Sequence, residues 1–356
     1  MMQLWNEKKY NNFIQCVPPY LTMFAATAKY VNVMVKIDKV RDLLTFIKID
    51  SERWANQPED KIYRALSMKG RLYVQILVAY VGSATSVYFV FPVYTLITET
   101  RNQKIGNSSE PRSLLYQADY HVDQETYFFW ITLHAYYLTL LTVVLVVAMD
   151  SFYIIVIHHS CVLFTIVGFK LRTAHIVDKT ILYKDNEWQK LEIIKLTAEE
   201  QEKTFRNVIQ CVSEHNRALQ YVDLIQSMFS TTLLIQIGLN IVSLSISAVE
   251  MLLYMNQIEI ALGMGCWLAA QEFHLLFLCL PGQRLSNSSE NVYYNSLECM
   301  WYLFSSKTIV VYQFFLQNTI QTRELIAMKL TVLNMETFQA VTRLAASYFT
   351  VLSSTL

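Results

Sequence analysis

Several long apolar runs of this chain carry ionisable side chains that a buried helix would ordinarily lack: Lys29, Asp150, the pair Glu272 and His274, and Glu336 with Arg343. A charge inside a membrane is costly, so such residues are candidates for ion, proton or ligand handling by default. Glu272 and His274 lie two residues apart near the inner end of their run, where projection of a helix into water accounts for them equally well. His158 and His159 are adjacent. Adjacent helical residues point apart, whereas a metal pair wants residues four apart on one face, so a structural or water-facing role is expected and no metal site. Cys16, Cys161, Cys211, Cys266, Cys279 and Cys299 form no CxxC pair, which excludes a zinc module or a disulfide scaffold. No HExxH, P-loop, GxSxG or GxGxxG pattern occurs, and 8 glycines in 356 residues leave little room for phosphate-cradling loops. Neither an enzyme nor a cofactor is expected.

The elements that position these residues follow from composition. The chain is 53% hydrophobic and only 16% charged, where a soluble domain carries roughly a quarter charged residues. Its 29 basic and 29 acidic residues balance, so no basic field exists to attract nucleic acid. Charged and apolar residues are segregated in blocks, and a bilayer crossing needs about 20 mostly apolar residues. Six segments qualify: 17–35, 72–97, 127–170, 222–249, 260–281 and 330–356. The expected fold is all-α, a multispanning helical bundle in a single membrane domain over 1–356. Its spans are set at about 17–36, 72–97, 128–150 (continuing as a cytoplasmic helix to 169), 222–249, 258–281 and 329–354. Residues 282–328 form a cytoplasmic anchor region. Helical periodicity is also expected in water over 185–220, where Trp188, Leu191, Ile194, Phe205, Val208, Val212 and Leu219 recur among charges. Cys299–Asn318 is apolar enough to mimic another crossing, but a central Lys307 costs roughly 2.5–3.5 kcal/mol to insert, so it reads as a buried cytoplasmic helix.

The run 127–170 is long enough for a hairpin of two spans or for one helix that projects into water. No glycine or proline lies between Tyr127 and Val167 to favour a turn. Segments 36–71 and 170–217 hold nine Lys or Arg each, against three in 98–127 and none in 250–259. The positive-inside rule puts both basic segments in the cytoplasm, which requires the run to cross once. Both termini and segment 98–127 are then outside, together with the sequon at Asn107; the sequon at Asn287 is inside.

In the last third, Leu280-Pro281-Gly282-Gln283, Ser288-Ser289-Glu290-Asn291-Val292, Trp301-Tyr302 and Ser347-Tyr348-Phe349-Thr350-Val351-Leu352 resemble the C-terminal signature of insect odorant receptors. Ala28-Lys29-Tyr30, Arg41-Asp42-Leu43-Leu44 with Trp54, and Lys69-Gly70-Arg71 resemble that family's second span, the cytoplasmic segment after it and the entry to its third span. The order of these motifs extends the resemblance over essentially the whole chain. The family has seven spans and six are expected here, because the first run matches the family's second. The chain is thus expected to lack the counterpart of the first span, as an incomplete piece or a truncated variant. Asn295 and Leu297 stand where the family usually has a small residue and an aromatic before its tryptophan.

The resemblance implies a subunit of a heteromeric, tetrameric ligand-gated nonselective cation channel, in which an odorant-tuned chain joins a shared co-receptor in the plasma membrane of sensory neurons. The modest segment 171–221 resembles that of a tuning subunit rather than of the co-receptor. On the last span Ala340, Leu344, Ser347, Val351 and Thr355 share one face, small or apolar and uncharged, fit to line a shared pore; Val351 and Thr355 resemble the family's outer gate. The family pocket draws on four helices whose outer halves here hold Tyr20, Phe24, Tyr88, Phe91, Tyr94, Trp130, Tyr136, Tyr137, Met264 and Trp267. Aromatic rings and methionine suit a small, volatile, apolar ligand arriving from the outer side. Trp301, Phe304, Tyr312 and Phe315 give 299–318 an apolar face expected to serve assembly. Competing readings are a multispanning secondary transporter and a gustatory receptor of the same superfamily.

Overall fold

The computed structural model describes residues 10–104, 120–123, 126–176, 196–253 and 258–355; within its helices, 10–16, 87–88, 91–104, 252–253, 258–262, 349 and 352–355 are described by backbone alone. Eight α-helices run through the described residues: α1 Tyr10–Val35, α2 Ile37–Trp54, α3 Glu59–Lys104, α4 Phe128–Arg172, α5 Ala198–Leu253, α6 Ile258–Leu297, α7 Ser306–Thr319 and α8 Met335–Thr355. A single 3₁₀ turn, Trp301–Leu303, precedes α7, and a two-stranded hairpin, β1 Ile326–Ala327 and β2 Thr331–Val332, precedes α8. The architecture is a multispanning all-α bundle. By length and composition alone, Phe128–Arg172, Ala198–Met251 and Gly263–Leu297 can each cross a membrane.

Local sequence sets the helix boundaries. α2 ends before Asn56, which adopts a left-handed φ of 63°, a conformation asparagine tolerates better than most residues. α5 begins at a capping box: Glu200 Oε2 accepts from the Thr197 amide at 2.7 Å, and the Glu200 amide donates to Thr197 Oγ1 at 3.3 Å. Ser305 caps α7 by accepting from the Thr308 amide. The run 127–170 is one unbroken helix of 45 residues, about 68 Å long and more than twice the ~30 Å hydrocarbon core. Of the residues before Asp150 on α4 only Ile131 and Ala135 are buried, whereas most of Tyr153–Leu171 is. Phe129, Trp130, Leu133, Leu140 and Val144 point outward on the first half. Large exposed apolar surface on one half and a packed core on the other fit a helix that leaves lipid and enters the protein's interior.

That inner core is built from Leu43 and Trp54 of α2, Val156, Ile157 and Phe164 of α4, Val208, Tyr221 and Ile225 of α5, and Leu285 and Val292 of α6. Two ion clusters lie within it. Asp50, fully buried, is paired with Arg217 and accepts from His159 Nε2 at 3.0 Å. Lys170 Nζ lies 3.5 Å from Glu59 and 3.4 Å from Glu214, which Arg53 also reaches at 2.7 Å. His158 bonds the Leu66 carbonyl at 2.7 Å. Both adjacent histidines are therefore consumed by partners on α2 and α3 rather than facing water.

Two side chains of α5 pair with β1 as a neighbouring strand would. The Ile326 amide donates to Gln226 Oε1 at 2.9 Å, the Met328 amide to Ser230 Oγ at 2.8 Å, and both side chains donate back to the Ile326 carbonyl. The hairpin turn holds Met328 and Lys329 at φ 47° and 61°, as a turn matching strand twist demands. Across it, the Leu333 carbonyl lies where a Cβ on Gly282 would stand 2.1 Å away, so only glycine admits this approach to α6. Gly282→Ala is expected to destabilise the protein by roughly 1–3 kcal/mol through overpacking, measured as a lowered thermal unfolding midpoint.

His215, buried between Phe164 and Phe315, has its imidazole pushed down to about 4, chiefly by burial and also by Arg323. The unfolded chain has an ordinary histidine near 6.5, so between about 6.5 and 4 it binds more protons than the folded one. Stability is expected to fall as pH drops through that window. His215→Phe should flatten this loss, read by unfolding midpoints between pH 7 and 4.5.

Candidate functional site

The charges that interrupt the apolar runs meet. Lys29 of α1 and Asp150 of α4 are both buried, with Nζ 2.5 Å from Oδ1. His274 of α6 lies 3.1 Å from the other carboxylate oxygen and 3.4 Å from Lys29 Nζ. A charge removed from water needs a partner, and this triad supplies one across three helices. Beside it is a cavity of about 20 Å³, lined by Lys29, Asp150, Tyr153, Phe229, Thr232 and Gln236, room for about one water. Buried and mutually bonded, the three side chains form a polar joint between α1, α4 and α6.

Over 270–278, α6 reaches five other helices. The Tyr80 hydroxyl of α3 donates to the Ala270 carbonyl at 2.9 Å. Gln271 accepts from Asn240 of α5 at 3.3 Å and donates to Thr22 of α1 at 3.5 Å. Thr342 of α8 donates to Glu272 at 2.8 Å. His274 joins α1 and α4, and the Tyr153 hydroxyl of α4 donates to the Leu278 carbonyl at 2.9 Å. Projection into water therefore does not explain Glu272 and His274: both are bonded inside the bundle. Their partners Lys29, Asp150 and Thr342 are distant in sequence; the only signal was opposite charge in separate apolar runs.

Of the sequence-predicted ligand residues with described side chains, most face outward. Tyr20 and Phe24 of α1 are exposed, and Trp130 and Tyr137 of α4 are 65% and 64% exposed. Met264 and Trp267 are half-buried. Tyr88, Phe91 and Tyr94 lie outside the described side chains, and Asn107 outside the described residues. Tyr136 rather than Tyr137 turns toward α3: its ring packs edge-on against Phe89 at 4.9 Å, and its hydroxyl donates to the Phe89 carbonyl.

On α8, Ala340, Leu344, Ser347 and Val351 are exposed along one face, while Val341, Phe338 and Ala345 pack against the core. The Thr355 side chain is outside the described set. The expectation that Trp301, Phe304, Tyr312 and Phe315 together serve assembly needs correction. Phe304, Tyr312 and Phe315 are buried inside the chain, with the Tyr312 hydroxyl donating to the Ser296 carbonyl at 2.7 Å. An amphipathic helix packs its more continuous apolar stripe on its own core first. Of the four only Trp301 remains exposed, in ring contact with the exposed Tyr302; Val310 and Phe314 of α7 are exposed as well.

Residues 9–346 match the family model described as 7tm Odorant receptor, whose members are receptors and not enzymes. Two solved structures of the insect olfactory receptor OR5 from Machilis hrabei share the fold. The one in complex with eugenol matches with a TM-score of 0.71 at 10% identity, covering 98% of this chain and 82% of that one. The other matches with a TM-score of 0.73 at 11% identity, covering 98% and 83%. No curated protein matches in sequence.

The triad makes a separable expectation. Asp150→Asn leaves Lys29 buried without a counter-charge and is expected to cost about 3–5 kcal/mol, read as loss of folded, purifiable protein. Lys29→Met combined with Asp150→Leu should recover most of that loss, because it removes both charges together.

Proposed function

Because this chain belongs to the 7tm odorant receptor family, we propose that it is the odorant-tuned subunit of a heteromeric ligand-gated nonselective cation channel. In this reading it joins a co-receptor in the plasma membrane of sensory neurons, and small volatile molecules open the channel from the outer side. The observation that carries the proposal is α8. One face of this helix is packed on the bundle, and the other exposes a stripe of small or apolar residues, Ala340, Leu344, Ser347 and Val351, with the exposed Glu336 and Arg343 at its edge. A helix of that kind suits a shared axis where several subunits each contribute one stripe, with a hydrophobic ring closing the path by dewetting.

A ligand opens such a pore only by binding the open arrangement more tightly than the closed one. The ligand site is assigned to the outer ends of α1, α3, α4 and α6, with Tyr136, Met264 and Trp267 at its wall. The M. hrabei receptor was solved with eugenol, a small organic molecule of the size such a site takes. α6 is suited to carry the change, since it holds the Lys29–Asp150 pair through His274 on one side and Thr342 of α8 through Glu272 on another.

The test is co-expression with a co-receptor in oocytes and recording of current during an odorant panel. Odorant-evoked cation current that requires the co-receptor is the expected result. In the Ser347→Cys variant, a charged thiosulfonate applied from outside should then reduce the evoked current irreversibly. Substrate accumulation independent of any odorant, or thiol modification without effect on current, would count against the reading.

A further inference from the structure

We propose that the outer half of α5 holds a binding site for the hydrogen-bond-donating head group of a small molecule, an alcohol, phenol or amine. The inference rests on the reading of the chain as an odorant-gated subunit and deepens it by adding α5 to the wall of the ligand site and by giving the ligand a chemical class. Gln236, Asn240, Ser243, Ser247 and Glu250 recur at alternating spacings of four and three, which places them along one helical face. All five are buried, Ser247 and Glu250 with 0% exposure. The face looks inward: the Asn240 amide nitrogen donates to Gln271 of α6, and Gln236 adjoins the cavity beside Lys29 and Asp150.

Most of the atoms left over on this face are acceptors only, beside two serine hydroxyls that can accept or donate. Among the described residues, Gln236 Oε1, Asn240 Oδ1, Ser243 Oγ, Ser247 Oγ and both Glu250 carboxylate oxygens have no hydrogen-bond partner. The amide and carboxylate oxygens can only accept. Among the described residues no Lys, Arg or His is paired with Glu250. Buried acceptors without donors are costly, so this surplus favours an occupant that brings N–H or O–H groups. Leu244 and Ala248, buried on the same stretch, offer apolar contact for the body of such a molecule. The face was hidden in the sequence because serine and asparagine scattered through an apolar run read as ordinary span residues.

The test uses the full-length chain purified into lipid nanodiscs, with thermal unfolding followed by intrinsic fluorescence. The probes are 2-phenylethylamine, 2-phenylethanol, phenylacetaldehyde and ethylbenzene, which share a ring and a two-carbon arm and differ in the head group. The amine and the alcohol are expected to stabilise at concentrations about tenfold or more below those needed of the aldehyde or the hydrocarbon, since a site built for a donor rejects analogues lacking it. Amine ahead of alcohol indicates an ionised Glu250, and alcohol ahead of amine a neutral one. Glu250→Gln should shrink the advantage to about threefold or less; Ser247→Ala is the second variant, should the first fail to fold. Equal potency of all four probes, no stabilisation by either donor, an unchanged order in both variants, or stabilisation by sodium over potassium without dependence on the head group would overturn the proposal. Loss of odorant-evoked current with the binding order intact would instead count against the channel reading alone.

Discussion

A lysine and an aspartate that cannot be solvated hold the middle of this bundle together. Taking either charge out of water alone costs several kcal/mol, so Lys29 and Asp150 are tolerable only as partners. That requirement fixes how α1 lies against α4, and His274 brings α6 to the same point. A greasy contact between these helices would let them slide by a methylene with little loss; a 2.5 Å ion contact does not. The remaining bonds of α6 then fall into register, from Ala270 to Leu278, because fixing the height and rotation of a rigid helix at one point places its other side chains too.

The two ends of the bundle answer to different solvents. The inner part is closed by a large apolar core and by the Asp50 and Glu214 ion clusters, each drawing on side chains from several helices. The outer part of α4 turns bulky apolar residues outward, which water would not reward and lipid does. Among the described residues, the charge networks gather around Asp50, Lys170 and Glu214.

α6 and the hairpin meet the last helix from two sides. Glu272 bonds Thr342, and Gly282 lets the chain pass close to Leu333 just before α8 begins. Gln226 and Ser230 of α5 grip the hairpin by its backbone. The position of α8 is therefore set by both α5, which carries the buried polar face, and α6, which contributes His274 to the polar triad. Any displacement of those two helices has a direct bonded route to the exposed stripe of α8.

Much of the architecture was legible in the sequence. Segregated charge implied a multispanning helical bundle, and the absence of glycine and proline from 127–170 agreed with a single helix, because backbone continuity is a local property. The motifs around Leu280–Gln283 and Ser347–Leu352 pointed to the family that residues 9–346 match. Site geometry was less legible. Tyr136 and Tyr137 are equivalent by composition, and only the rotation of α4 turns the first toward Phe89 and the second outward. The aromatic stripe of 301–315 was visible, but whether it met its own core or another surface depended on where α5 and α6 end. Lys29, Asp150 and His274 each looked like an isolated flaw in a span. The sequence by itself determined that these charges lie in apolar helices; only the tertiary structure decided that they answer one another, because pairing depends on helix rotation and height, which no stretch of chain encodes alone.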